Sequence, residues 1–278
     1  MLSNTTKGGF PDILILKDFL DKKVSLYNRK EFIEADPISI PHRYTRKQDI
    51  EIAGILSATI AWGNRVSIVR NGQRLMSIMD DRPYEFVMWA AKSDLQRLDK
   101  FVHRTFNASD CLFFIESLKQ IYTKYGSLEG AFTGFSTNAE TSEPGSEPGM
   151  VSDSLNAYDA IINFRDEFLK VPHLTRSEKH IANPAKGSSA KRINMFLRWM
   201  VRKDNNGVDF GIWNTIRPSQ LVCPLDVHSG RTARQFGLLI RPQNDWKAVM
   251  ELTGNLRLLD PDDPVKYDFA LFGSGVDR

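Results

Sequence analysis

Asp226 stands where a carboxylate can do chemistry. It follows Pro224-Leu225 and opens Val227-His228-Ser229-Gly230-Arg231-Thr232-Ala233-Arg234-Gln235-Phe236, an amphipathic stretch of helical period. Proline prevents a preceding helix from running through, and an aspartate at the next helix mouth can accept from backbone N–H groups two or three residues on. Arg231 and Arg234 share the polar face beyond it. Catalytic carboxylates are often held in this way, and a plain N-cap explains the same residues. A second segment, Lys186-Gly187-Ser188-Ser189-Ala190-Lys191, precedes a helix running to about Arg202. Free amides at that helix start, beside a glycine that allows close approach, make Gly187, Ser188 and Ser189 candidate contacts to a phosphate backbone. Simple capping by Ser188 or Ser189 is the alternative.

The elements that must position these residues read as helices. Ile13, Leu16, Leu20, Val24 and Tyr27 share a face in a helix expected over 11–35. Asp49 to Trp62 is apolar almost all round, the pattern of a helix buried among others, and Gly63-Asn64 stops it. Further helices are expected over Val66–Met79, Pro83–Lys92, Cys111–Tyr125 and Ser154–Leu169, with buried stripes such as Ile68, Leu75, Met76 and Met79. In the helix after Lys191, Ile193, Phe196, Leu197 and Met200 form the buried stripe, while Lys191, Arg198 and Arg202 fall on another side near Asn194. Ser136 to Gly149, with the near-repeat Ser-Glu-Pro-Gly-Ser-Glu-Pro-Gly, reads as a mobile surface loop. No alternating strand pattern appears, so periodicity predicts an all-α protein.

Composition narrows the classes. With 278 residues, 41% of them apolar, the chain can bury one large core or two smaller ones. Cys111 and Cys223 stand alone, with no partner at metal-ligand spacing. Neither a zinc site nor a four-cysteine iron–sulfur cluster is expected, and no metal or other cofactor is indicated. A reduced, cytoplasmic protein is the simplest expectation, with no signal segment and no apolar run of the roughly 20 residues that cross a bilayer. No Gly-x-Ser-x-Gly and no Walker-type loop competes for a catalytic role. The net charge of +3 is unevenly spread: residues 136–168 carry seven acidic and one basic residue, residues 171–247 thirteen basic and five acidic. The basic block holds both segments singled out above and can steer a phosphate backbone, although a solvated basic face fits equally well.

The order Asp226-Val227-His228, two positions, Arg231, then Ala233-Arg234-Gln235-Phe236-Gly237-Leu238 resembles the aspartate segment of the helix–hairpin–helix DNA glycosylases. Asp49–Arg65, Lys186–Arg202 and Asp263–Gly273 extend the likeness to an uncharacterised bacterial family beside the archaeal 8-oxoguanine glycosylases. The resemblance implies two helical lobes flanking a cleft. One would span residues 48–202, with the loop at about 136–150, and the other residues 1–47 and 203–278. It makes Asp226 the catalytic aspartate and Lys191 the lysine nucleophile at the end of the hairpin. The hairpin here departs from the family pattern: it has one glycine and no Leu-Pro, and 35 residues separate Lys191 from Asp226. Lys186, Gly187, Ser188, Ser189, Arg192 and Arg231 would bind DNA, and Trp62 and Trp199 are candidate walls of a base pocket, though buried aromatics are usually core. The implied activity is excision of a damaged purine, oxidised purines included, from double-stranded DNA, with or without strand cleavage. The rival is a non-catalytic DNA- or RNA-binding protein with the same fold.

Overall fold

The computed structural model describes residues 13–135 and 155–276; the loop expected over 136–150 lies outside them. They are mostly helical: α1 Ile13–Tyr27, α2 Glu31–Glu34, α3 Lys47–Thr59, α4 Arg65–Ile78, α5 Pro83–Trp89, α6 Lys92–Gln96, α7 Ala108–Tyr125, α8 Leu128–Thr133, α9 Ala157–Phe168, α10 Lys191–Val201, α11 Val227–Gln235, α12 Trp246–Leu259 and α13 Tyr267–Val276. One antiparallel pair, β1 Val102–His103 with β2 Phe106–Asn107, interrupts them. Two-residue strands turning on Arg104 at φ 57° are too short to show an alternating pattern, which is why the sequence reads as strand-free. Among the described residues no helix is long and apolar enough to cross a membrane.

The helices form two compact units. One comprises the described residues of Ile33–Asn183 together with Ile212–Ile216. Its centre is α3, buried on every side as its all-round apolar sequence requires. Gly63, at φ +101°, breaks the chain after α3, and the Asn64 side chain caps α4 by accepting from Ser67 N. An aromatic layer of Phe106, Phe113, Phe114 and Phe168 packs edge to face against α7, and Phe132 stacks on Phe164 at 4.3 Å. Leu112, at helical spacing with this stripe, is exposed.

Glu51 enters the same core fully buried. It accepts from Tyr122 Oη and Trp213 Nε1 at 2.7 Å, Ser127 Oγ at 3.0 Å and Leu128 N at 3.2 Å. Burial pushes its pKa up, against the Lys47 charge and these donors. Glu129 accepts from Asn214 N, Thr215 N and Thr215 Oγ1, so two carboxylates pin the short return segment 212–216 into this unit.

The other unit holds the described residues of Met1–Phe32, Pro184–Gly211 and Arg217–Arg278. Here α13 packs against α1 and α11. Gly273 admits the Tyr27 ring where a Cβ would stand only 2.2 Å from it. The helix expected over 11–35 ends at Tyr27, because Asn28 turns its amide to Asp204 at 2.6 Å and the chain tightens before α2. Residues 184–202, expected in the lobe with 48–183, group instead with the aspartate segment, and 33–47 group with the α3 unit. The reason is polar: α10 and the turn before it bond to residues 204–209, 245–246 and 263–268.

Removing the Glu51 carboxylate takes an acceptor from four donors, of which Tyr122 Oη keeps the Gln48 carbonyl at 3.3 Å. Glu51→Ala is expected to cost about 4 kcal/mol of unfolding free energy and Glu51→Gln about half as much, from roughly 1–3 kcal/mol per orphaned group. Urea unfolding checks this; equal midpoints for native and both variants would refute the anchoring role.

Candidate active site

Lys191 is the first residue of α10 and Asp226 the N-cap of α11, so the site is built from two helix starts within one unit. Asp226 takes extended backbone angles and divides its two carboxylate oxygens. Oδ1 accepts from His228 N at 2.8 Å and Ser229 N at 2.9 Å, while Ser229 Oγ accepts from Asp226 N in return, closing a capping box. Oδ2 lies 3.6 Å from Lys191 Nζ, both side chains remaining about a quarter exposed. The residue therefore serves as helix cap and as ion-pair partner at once. Burial alone would raise its pKa; the Lys191 charge and the Ser229 and His228 amides together lower it.

The turn before α10 is shaped by backbone rather than by serine caps. Gly187 sits at φ +83° with open space around it. Its carbonyl accepts from Trp246 N at 3.0 Å, and Ser188 bridges to Asp245, which caps α12 through Ala248 N and pairs with Arg241. Ala190 holds a left-handed conformation (φ 48°, ψ 34°) while buried, and no side chain caps α10. Ser188 Oγ accepts from Ala190 N, one residue short of the helix. The α10 amides and the positive end of its dipole are thus left uncapped by the serines beside Lys191.

Behind the pair runs a stripe of buried polar groups that sequence reading placed on a separate side of α10 without a partner. Asn194, Arg198 and Arg202 are all at most 3% exposed. Arg198 bonds Asp209 at 3.3 Å and Asp268, and Arg202 bonds Asp263 at 2.8 Å, Asp204 and Asp209 at 3.2 Å. The loop 203–211 turns Asp204 and Asp209 onto these arginines, with Val208 fully buried. Asp263 is both a cap, through Lys266 N, and an Arg202 partner. Asp268 is the group that residue spacing did not single out as a site. Its position in Asp263–Gly273 was the signal available.

Lys186, Gly187, Ser188 and Arg231 are exposed; Ser189 and Arg192 are partly buried. Arg234 turns away from solvent to bind the carbonyls of Arg241, Pro242 and Gln243 and the Asn244 amide, organising the loop beside Asp226. Trp199 is fully buried and presents no face for stacking, which removes it from a base pocket: it lies on the core side of α10. Trp62 belongs to the other unit, partly exposed, stacked on His180 at 5.9 Å and edge-on to His103 at 5.3 Å. Cys111 and Cys223 are free and buried.

The molecule is thus a two-unit, mostly helical protein carrying a lysine–aspartate pair at two helix starts. The chain belongs to the family described as protein of unknown function (DUF2400), which matches residues 36–277. No curated protein and no solved structure matches it.

Asp226→Asn keeps the cap and loses the ion pair, whereas Asp226→Ala loses both and is expected to cost about 1 kcal/mol more. Because the folded pKa of Asp226 is depressed, its charge stabilises the fold fully above the unfolded value of 3.8 and loses that contribution as pH falls below it. The stability gap between native protein and Asp226→Asn should therefore narrow from pH 5 to pH 2.5 in thermal melts; a gap independent of pH would rule out the pairing.

Proposed function

We propose that this protein is a DNA base-excision glycosylase acting on a damaged purine, with Lys191 as nucleophile and Asp226 as its carboxylate partner. The observation that carries the reading is the 3.6 Å approach of Lys191 Nζ to Asp226 Oδ2 across 35 residues of sequence. These are the two residues that the resemblance to helix–hairpin–helix glycosylases singles out. In this mechanism the neutral amine attacks C1′ of a nucleotide turned out of the duplex, and the glycosidic bond breaks toward the base. The resulting Schiff base can go on to strand cleavage. Asp226, anionic over the physiological range, stabilises positive charge developing on the sugar. Gly187 and the uncapped amides of α10 suit a backbone phosphate, and exposed Lys186 and Arg231 add charge. If Lys191 is not the nucleophile, Asp226 can still assist water, giving base release without strand cleavage.

Borohydride trapping on a panel of lesion-bearing duplexes tests the reading, alongside an assay for free base. The native protein is expected to form a covalent adduct that Lys191→Gln abolishes, and Asp226→Asn should slow adduct formation about 100-fold or more while leaving duplex affinity nearly unchanged. Absence of both adduct and released base across the panel would leave a DNA- or RNA-binding protein without this chemistry.

A further inference from the structure

We propose that Arg234 and Asn244 are positioning residues for the Lys191–Asp226 pair: they brace the segment 240–246 against the starts of both α10 and α11, and so set the gap between amine and carboxylate. The use made of that gap rests on the excision reading above, whereas the brace consists of contacts within one unit.

The pair cannot hold itself. At 3.6 Å, Lys191 Nζ and Asp226 Oδ2 stand beyond hydrogen-bond length, and both side chains keep about a quarter of their surface in solvent. A part-exposed ion pair of that length gives little orientation, so the gap is set by the backbones that carry the two residues. The buried Arg198 and Arg202 hold α10 further along its length. What ties the turn before α10 to the start of α11 is the chain between α11 and α12.

The contacts run from one helix start to the other. On the α11 side, Asn244 Nδ2 donates to the Asp226 carbonyl at 3.1 Å. On the α10 side, Trp246 N donates to the Gly187 carbonyl at 3.0 Å, and Asp245 bridges to Ser188, three residues before Lys191. Between them Arg234, two turns along α11 from Asp226, donates to the Arg241 carbonyl through Nε at 2.9 Å and Nη2 at 2.7 Å, and to Asn244 Oδ1 at 2.8 Å. A guanidinium only donates, so it takes the oxygen end of the Asn244 amide and turns the N–H end to Asp226. From α12, Glu251 accepts from Ile240 N at 2.6 Å, and Asp245 caps that helix through Ala248 N. The segment is thereby held at both ends and meets three helix starts.

Gly230 is where the brace docks. It lies buried in the first turn of α11, and its N–H bonds the same Asp226 carbonyl that Asn244 reaches. A Cβ there would stand 2.7 Å from Asn244 Oδ1 and 3.0 Å from Arg234 Nη1. Helix propensity alone favours alanine over glycine at such a position, so the bare Cα is explained by the two side chains it admits. Gly230→Ala therefore displaces the brace while removing none of its charges or hydrogen-bonding groups.

Two arms test the proposal on the full chain. The first needs no substrate: carboxyl carbon NMR follows the titration of Asp226, whose pKa the Lys191 charge lowers. Lys191→Gln should raise the midpoint, and Gly230→Ala and Asn244→Ala should each produce about half of that rise or more, adding nothing further in the Lys191→Gln background. Glu51→Gln, which loosens the other unit, should leave the midpoint unmoved. If Gly230→Ala does not fold, Arg234→Lys replaces it, because it keeps the charge and loses the planar fork. A midpoint that stays at the native value in these variants overturns the brace.

The second arm is borohydride-trapped adduct formation on an abasic-site duplex at saturating DNA. Gly230→Ala and Asn244→Ala should slow it about 10-fold with duplex affinity within about twofold of native, since a misplaced carboxylate costs rate rather than binding. In the Asp226→Asn background the same substitutions should cost about twofold or less, because a residue that acts through the carboxylate has nothing left to place. Equal losses in both backgrounds mean a general loosening of the fold and overturn the positioning role. No native adduct on any duplex sinks the excision reading, and the titration of Asp226 then decides the brace by itself.

Discussion

Two buried arginines decide where α10 lies, and much of the unit around it follows. Arg198 and Arg202 have almost no contact with solvent, and a guanidinium so placed is tolerable only if carboxylates meet it with good geometry. Asp204 and Asp209 arrive from the loop after α10, Asp263 and Asp268 from the turn before α13 and from its first residues. Phe269 supplies an aromatic face 4.3 Å from the Arg198 guanidinium. Loss of any one partner strands buried charge, so these segments are held to one arrangement. The consequence at the start of the helix is that Lys191 has a defined position.

Asp226 illustrates how a structural and a chemical use coexist on one side chain. An N-cap needs one oxygen aimed at the amides two and three residues ahead, and the second oxygen points elsewhere without weakening the cap. Here it points at Lys191. Capping fixes the rotamer, so the carboxylate meets the amine already oriented. Ala190 makes a matching contribution from the other helix: its buried left-handed turn carries the chain sharply into α10.

The basic block of residues 171–247 loses much of its apparent reach once the side chains are placed. Arg165, just before it, and Arg198, Arg202, Arg234 and Arg241 within it are spent on internal carboxylates and carbonyls. Arginine suits this work because its planar fork serves several acceptors at once. Lys186 and Arg231 stand exposed beside the two helix starts, and Lys179, Lys203, Arg217 and Lys247 are exposed elsewhere in the block.

Periodicity alone located α3, α4, α7, α9 and α10 to within a few residues, because a buried stripe every three to four positions reports helix directly. Capping chemistry likewise marked Asp226 as a helix start, since an N-cap interaction spans only a few residues. The tiny β1–β2 pair, the break after Tyr27 and the membership of 184–202 were not legible, for each depends on partners distant in sequence. The same limit governed the polar face of α10: Lys191, Asn194, Arg198 and Arg202 read as one side of a helix, whether that side faces water or carboxylates. Local propensity and amphipathic period belong to the sequence by itself. Which charges are buried, which oxygen of Asp226 meets Lys191, and how the carboxyl at 268 comes to meet Arg198 were decided only in the tertiary structure, because Coulomb interactions and desolvation depend on distances that the chain sets when it packs.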